Sequence, residues 1–599
     1  MVIIEKIQKV LTIKTTKKSR SQVTFWFSLS LAFSAIYSIL ALREAFSSKY
    51  VVQDDARQHV FWMLRFLDPE LFPQDFIADY FQSVAPRGYT AFYQLMASVG
   101  INPLLFNKLL PLILGLITTS YCFGICLQML PVPAAGFICS LLLNQCIWMK
   151  EDLISATPRA FAYPLFLAFL YYVLQRSRLG SAVAIALLGL FYPQYLFVSV
   201  GILILQLLHW HNGRLCLSQN RSDYLLCASG LGVALLVMLP YALESSEFGP
   251  AITAAAARQL PEFLPGGRTQ FFHENSWTFW LNGQRSGMLP RSLLKPEMLY
   301  LGLLLPILLR FPSQFPLARQ VTSKVTLLPQ IALAALLMFF AAHTVLFKLH
   351  VPSRYTGQSL RIIMALAAGM ALMLILDGIW QWTKPNKAKA NSPSTLPRDI
   401  GIHNPKSTIQ NSRQFLALGV TVLIGAALVL YPSFVPDFPF TKYTVGKVPE
   451  LYEFFQKQPN NILIASLAEE ANNLPTFSQR SILAGREYAI PYQIGYYSKF
   501  RQRTIDLIRA QYSQDVAEVK NLLRTYGVDF WLLERTAFTP EYLAKDKWIR
   551  QYPPAAEAQT RLEQQAIPAL AKSIERCSVF ETQSLVVLQA ECIVQTPKE

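Results

Sequence analysis

The chain has 599 residues, 52% of them hydrophobic and 15% charged, with a mean hydropathy of +0.30. Soluble domains carry about 25% charged residues, so this balance excludes an ordinary soluble enzyme and specifies a polytopic membrane protein with some soluble mass. The net charge of +17 calls for no nucleic-acid partner, because much of it sits in short loops between apolar segments, where Lys and Arg set orientation.

A spanning helix needs roughly 20 mostly apolar residues, and the sequence offers about eleven such segments. A basic N-terminus, residues 1–22, precedes the first, Val23–Leu42. No small-residue cleavage site follows closely, so this is expected to be an uncleaved first span. A polar stretch, residues 43–103, comes next. It opens near Asp54-Asp55 and contains an amphipathic run (Val60, Phe61, Leu64, Phe66, Leu67) suited to helical pieces lying on the membrane surface. Leu104–Leu130, Ala134–Trp148 and Ala160–Leu174 follow, the last entered through Ser155-Ala156-Thr157-Pro158-Arg159. Ser181–Leu190 and Tyr195–Leu208 are short and separated by Pro193, which breaks a helix and favours a hairpin of two short helices over one kinked helix. Tyr224–Leu243 leads to a second long polar loop, 244–297, rich in Pro, Gly and aromatics (Phe271, Phe272, Trp277, Phe279, Trp280). These aromatics suit an interfacial belt better than a sugar platform. Met298–Leu309, Leu327–Phe347, Leu360–Trp382 and Phe415–Tyr431 complete the set, with a polar, flexible loop expected over 384–413.

Residues 432–599 read as soluble. Short strand-like runs at Asn461–Ser466, Ser481–Gly485 and Phe530–Leu533 alternate with helical spacing at Val448–Gln456 and Asp515–Arg524, the pattern of a small α/β domain with a partly parallel sheet. Ser578–Glu581 and Leu585–Ala590 form a hairpin pattern around Gln583. Cys577 and Cys592 flank it almost symmetrically, so a disulfide between neighbouring strands is expected. The other cysteines form no metal-binding pattern.

With the N-terminus in the cytoplasm, the inner loops collect Arg176/Arg178, Arg214/Arg221, Arg310/Arg319/Lys324 and the basic residues of 384–413, as cytoplasmic loops should. Only the Pro131 turn lacks such charge. The outer face then holds residues 43–103, 244–297 and 432–599. It also collects two acidic pairs, Asp54/Asp55 and Glu151/Asp152, and basic residues beside helix ends: Arg159, Lys348, Arg354 and Arg361. Carboxylates can deprotonate an acceptor hydroxyl, and guanidinium forks and ammoniums can hold a phosphate leaving group. The spans themselves are nearly free of charge, unlike a transporter's midplane site. For each pair the plain alternative is a solvated polar turn. Adjacent residues on a helix point about 100° apart, so only one of Asp54 and Asp55 need face a site. His59 reads as a surface histidine.

A first span, a large outer loop opening with Asp54-Asp55, a multi-span core with short middle helices and an outer C-terminal domain together resemble the C-type (GT-C) glycosyltransferases, such as the protein O-mannosyltransferases and the aminoarabinose transferases of lipid A. Ser155–Arg159, Pro352-Ser353-Arg354-Tyr355, Val448–Phe455 and Tyr526–Phe530 carry the resemblance at residue level. It implies an inverting transferase that uses a polyprenyl-phosphate-linked sugar, an envelope glycan, lipid or protein as acceptor, and Asp54 or Asp55 as base. Some members use a divalent metal. The first loop has no Asp-x-Asp ligand set, so a metal is doubtful and no cofactor is assigned. The competing readings are a non-enzymatic carrier or assembly protein for envelope lipids or polysaccharide, and a ligase or polymerase acting on polyprenyl-linked glycans.

The basic-loop pattern places residues 384–413 in the cytoplasm and residues after Pro432 outside the plasma membrane. An alkaline phosphatase fused after Glu599, active only on export, is expected to be active. A reporter there that functions only in the cytoplasm would overturn the topology.

Overall fold

The computed structural model describes residues 2–211, 214–243, 246–289, 295–383 and 405–595. Among these, six helices are long and apolar enough to cross a membrane: Arg20–Ala45, Pro103–Met129, Arg221–Leu243, Ser323–Thr344, Ser353–Trp382 and Ser412–Phe434. Five shorter apolar helices, Pro133–Trp148, Pro158–Leu174, Arg178–Phe191, Pro193–Leu205 and Glu297–Leu308, coincide with the remaining apolar segments of the sequence. The expected count of about eleven crossings therefore reduces to six helices with the full length and composition.

Pro133–Trp148 and Ser353–Trp382 form the centre of the bundle. Every residue of the first is buried, and most of the second is too. They meet closest at Gly369, where a Cβ would come within 2.8 Å of the Cys139 backbone; only a glycine lets two helix backbones pass that near. The peripheral helices show the opposite face. Leu235, Leu236 and Leu423 are among the most exposed apolar side chains, a pattern that suits lipid rather than water as the surrounding solvent. Tyr192 separates Arg178–Phe191 from Pro193–Leu205, so the Pro193 break yields two helices.

The two ends of the bundle are built differently. At one end, the Thr15 amide donates to the Pro131 carbonyl at 2.7 Å and the Thr322 amide to Met129 at 2.8 Å. Lys324 donates to Gln128 at 2.8 Å. The Pro131 turn, the one turn without basic residues of its own, is thus covered by two basic segments.

At the other end lie residues 43–103, 246–289 and the C-terminal region. Of the amphipathic run expected on a membrane surface, Val60, Phe61 and Leu64 are instead inside protein, while Phe66 is half-buried and Leu67 is exposed. In the second long loop, Phe271 and Phe272 pack in a local core with Phe263 and Phe347, while Trp277 and Trp280 are exposed. The expected loop 384–413 falls over residues 384–404 outside the described residues; from Pro405 the chain is helical.

The C-terminal region folds around a five-stranded sheet in the order 481–482, 463–466, 530–534, 585–589, 578–581. The first two pairings are parallel and the last two antiparallel. Helices Ile494–Tyr512 and Val516–Tyr526 supply the crossover that a parallel pair requires. Gly527, left-handed at φ +67°, ends the second helix. A second, two-stranded pairing ties this region back to the first loop: Val51–Gln53 runs antiparallel to Tyr443–Val445, with Gln53 opposite Tyr443.

Cys577 and Cys592 are joined in a disulfide with Cα atoms 5.5 Å apart. They sit in the short helices Ile574–Cys577 and Ala590–Gln595 that flank the hairpin, not on its strands, because both strands end before reaching them. Closing a loop of this size restricts the unfolded chain by about 3 kcal/mol. Alkylation of the unreduced protein is expected to leave both thiols unmodified, and Cys577→Ser with Cys592→Ser is expected to lower the melting temperature by several degrees. Two fully alkylated thiols would exclude the bridge.

Candidate active site

Four segments far apart in sequence converge at the end of the bundle that carries the sheet. The Val51–Gln53 strand delivers Asp54 and Asp55. Its register is fixed by the pairing with Tyr443–Val445 and by the Asp54 amide donating to the Lys442 carbonyl at 3.1 Å. Gln53 accepts from the Asp55 amide at 2.9 Å.

The second segment is the tight passage from Pro133–Trp148 into Pro158–Leu174. Ala156 is left-handed there, at φ +48°, a conformation that costs a residue with a Cβ roughly 1–2 kcal/mol. It is held by its surroundings: the Ala156 carbonyl accepts from Tyr93 at 3.1 Å and the Ser155 carbonyl from Asn107 at 2.9 Å. The turn brings Glu151 and Asp152 back over Arg159.

The third segment is the start of the Ser353–Trp382 helix. It begins at Ser353 rather than at Leu360, so Arg354, Gly357, Gln358 and Arg361 fall on one helical face. The fourth is the second long loop, anchored to this helix by the Ser353 amide donating to the Arg285 carbonyl at 3.1 Å and the Ser353 hydroxyl to Gln284 at 2.9 Å.

The last three, with Lys442 beside the first, enclose a cavity of about 470 Å³, and neither Asp54 nor Asp55 lines it. Glu151, Asp152, Arg159, Arg354 and Arg361 line it, as expected from sequence; Lys150, Arg285, Gln358 and Lys442 join them. A π-helical turn at Thr278–Asn282 forms part of the roof, an irregularity frequent at functional sites. Lys348 is exposed and outside the lining: it sits in the turn that closes Phe347 on His350, ahead of the helix. It is therefore not a phosphate ligand of this cavity.

The acidic pairs do not behave alike. Asp55 is ion-paired with Arg159, which also faces Glu151 at 3.3 Å and Asp152 at 3.5 Å. Asp152 takes a second cation, Arg361, at 2.7 Å, and Glu151 takes Lys442 at 2.8 Å. Asp54 turns the other way. It pairs with Arg57, whose guanidinium also reaches Asn473 at 3.0 Å and Glu487 at 3.3 Å. Glu487 in turn pairs with Arg268. Asp54, the sequence's first choice for a base, thus stitches the first loop to the C-terminal region, and Asp55 holds the cavity side.

Burial pushes the Asp55 carboxyl up, but Arg159, with His59, Arg354 and Arg268, outweighs it and holds the group below the usual carboxylate range. Asp152 is likewise buried, and Arg159, Arg361 and Arg354 hold it well below that range. His59 is no free surface histidine. Burial pushes it down to about 4, against the pull of Asp55, so it is neutral at pH 7. Burial, with Arg354 and Arg285 nearby, brings His350 down to about 3.

The GT-C resemblance leaves open a divalent metal. Among the described residues no group of three or more His, Cys, Asp or Glu is placed to hold one, and the centre of the three carboxylates is filled by Arg159. The residues present do not fit a metal.

The comparisons with known proteins fall on the same architecture. The archaeal oligosaccharyltransferase AglB from Archaeoglobus fulgidus, solved with an inhibitory peptide and a dolichol-phosphate, matches with a TM-score of 0.53 over 89% of this chain and 72% of that one, at 10% identity. The chain shares the fold of that protein. The same oligosaccharyltransferase tethered to an acceptor peptide gives 0.50 at 11% identity, over the same shares of the two chains. ArnT from Cupriavidus metallidurans bound to undecaprenyl phosphate gives 0.43 at 12% identity, over 96% of this chain and 100% of that one. No family model and no curated protein matches the sequence.

Neutral, half-buried histidines make a pH prediction. An unfolded His titrates near 6.5, so below that pH the unfolded chain binds protons that folded His59 and His350 refuse until about 4 and 3. Stability is therefore lost as pH falls from 6.5 toward 4. Asp55 and Asp152 add their loss only below the usual carboxylate range, and Glu487, raised by burial, contributes with the opposite sign. The melting temperature of the purified protein is expected to fall between pH 6.5 and 4.5, and less steeply in His59→Gln with His350→Gln. Parallel profiles for wild type and variant would exclude the assignment.

Proposed function

We propose that this protein is an integral-membrane glycosyltransferase that moves a sugar from a polyprenyl-phosphate donor to an envelope acceptor on the extracytoplasmic face. The observation that carries the reading is the charge balance of the cavity. Its acids, Glu151 and Asp152, are already paired, and two further guanidiniums, Arg285 and Arg354, line the same space. A cavity with surplus positive charge beside apolar spans fits an amphiphile with a phosphate head. Arg354 lies in the first turn of a 30-residue helix, where the helix dipole adds to its attraction for an anion. Gln358 Oε1 and Arg361 Nε are buried and have no hydrogen-bond partner among the described residues, which suits polar atoms waiting for a ligand. The fold shared with AglB supports the same class; that enzyme's solved complex holds a dolichol-phosphate.

In this reading the acceptor's hydroxyl oxygen bonds to the anomeric carbon as the bond to the phosphate oxygen breaks. The acceptor proton passes to a carboxylate, and the polyprenyl phosphate leaves with its added charge held by Arg354 and Arg285. Inversion at the anomeric carbon follows from the single displacement. Asp55 is the base in this scheme: it stays ionised at neutral pH and adjoins the cavity through Arg159. Asp54 acts through Arg57 and Glu487 as a positioning residue. The N-terminus and residues 384–413 are cytoplasmic, and the C-terminal α/β region, with both long loops, covers the outer mouth. The carrier and polymerase readings are outcomes of the test below.

The test uses purified protein in nanodiscs with a panel of polyprenyl-phosphate sugars, read as release of polyprenyl phosphate and as bound lipid by native mass spectrometry. Asp55→Asn is expected to lower turnover by about 10²–10⁴, the range for loss of a general base, with lipid still bound. Asp54→Asn is expected to cost much less. Arg354→Ala should weaken lipid binding, since it removes a charge-assisted contact. Turnover in Asp55→Asn within a few-fold of wild type would remove Asp55 as base. Lipid binding without turnover on any donor would favour the carrier.

A further inference from the structure

The three carboxylates nearest the proposed reaction centre come from two segments: Asp55 from the first loop, Glu151 and Asp152 from the turn before Pro158–Leu174. Clustered carboxylates are a common way to hold a hard cation, since Mg²⁺ and Mn²⁺ take oxygen ligands, but as they stand these three are not placed to hold one. Here the position between them is taken. Arg159 is paired with Asp55 and lies 3.3 and 3.5 Å from Glu151 and Asp152. Its side chain is 12% exposed, and if it swung away Asp55 would lose the cation it is paired with. The charge count closes as well. Asp55, Glu151 and Asp152 face Arg159, Arg361 and Lys442, three against three. A divalent ion entering this cluster would add two positive charges to a set already neutral. It would also need oxygens at about 2.0–2.6 Å from one centre, where these oxygens ring a planar fork.

We infer that Arg159 stands in for a divalent cation: its guanidinium gathers Asp55, Glu151 and Asp152, and the cavity binds a phosphate head without metal. This rests on the proposed function for the identity of the phosphate ligand, but not for the cation site itself. A guanidinium can take this place because it carries its charge over five donors in one plane, matching several carboxylates at once, which a lysine ammonium does less well. The arrangement also explains the division of labour among the arginines. Arg159 and Arg361 are committed to acids, and Arg354 and Arg285 are the guanidiniums left facing the cavity.

The experiment uses the full chain in nanodiscs, stripped with EDTA and then titrated with Mn²⁺, with bound metal read by electron paramagnetic resonance. Wild type is expected to bind no Mn²⁺ at submillimolar concentrations. Arg159→Ala and Arg159→Gln, which empty the centre but keep the acids, are expected to gain one Mn²⁺ site that the further change Asp55→Asn removes. In parallel, undecaprenyl phosphate should bind wild type equally with and without EDTA. A Mn²⁺ ion bound by wild type and lost in Asp55→Asn overturns the inference, and so does a folded Arg159 variant that gains no site. If neither variant inserts, the wild-type titration decides alone. Failure to bind undecaprenyl phosphate under any condition counts against the proposed function and leaves the Mn²⁺ result to stand separately.

Discussion

Charge buried at the edge of a membrane has to be paired, and the whole end of this molecule is arranged around that requirement. Arg159 is the hub. Removing one partner from a buried ion pair typically costs about 3–5 kcal/mol, because the other charge is left without compensation. Asp55, Glu151, Asp152, Arg361 and Lys442 are each bound to this hub directly or through one neighbour. The left-handed Ala156 and the early start of the Ser353–Trp382 helix are the backbone terms that allow the side chains to meet.

A second network does for the outer region what Arg159 does for the cavity. Glu487 receives Arg57 from the first loop and Arg268 from the second, and Gln58 donates to it too. Tyr80 of the first loop stacks on Tyr496 with ring centroids 3.6 Å apart. Three separate stretches of chain thereby become one roof. Asp54 belongs to this network, so the adjacent acids divide between holding the roof and pairing with Arg159.

Much of this was legible in the sequence. Apolar length located the six long apolar helices and the five shorter ones, and the alternation after Pro432 located the strands and the helix Val516–Tyr526 but not the longer helix Ile494–Tyr512. The GT-C likeness rested on the order of these parts, and a fold can persist at the 10% identity of the AglB structure. The site was legible where residues lie on one regular element. Arg354 and Arg361 were found, and Gln358 between them could have been, had the helix been started at Ser353. What the sequence could not give was the direction of Asp54 against Asp55. That rotation is set by a strand register formed with Tyr443–Val445, some 390 residues away. Arg285 and Lys442 were missed because they lie in loops without periodicity. Lys348 was misplaced for the same reason: a turn, not a helix, decides where it points.

The pairing of Val51–Gln53 with Tyr443–Val445 also sets an order in time. A ribosome extends a chain at about 5–20 residues per second, so the first loop is made roughly 20–80 s before its partner strand exists. Until Lys442 arrives, Glu151 lacks one of its two cations and Asp54 lacks the carbonyl that fixes its amide. The cavity is therefore finished only when nearly three quarters of the protein has been made. A prematurely terminated product would carry all the acids and arginines of the bundle yet present them unassembled. Synthesis of that one late strand is what completes the cavity.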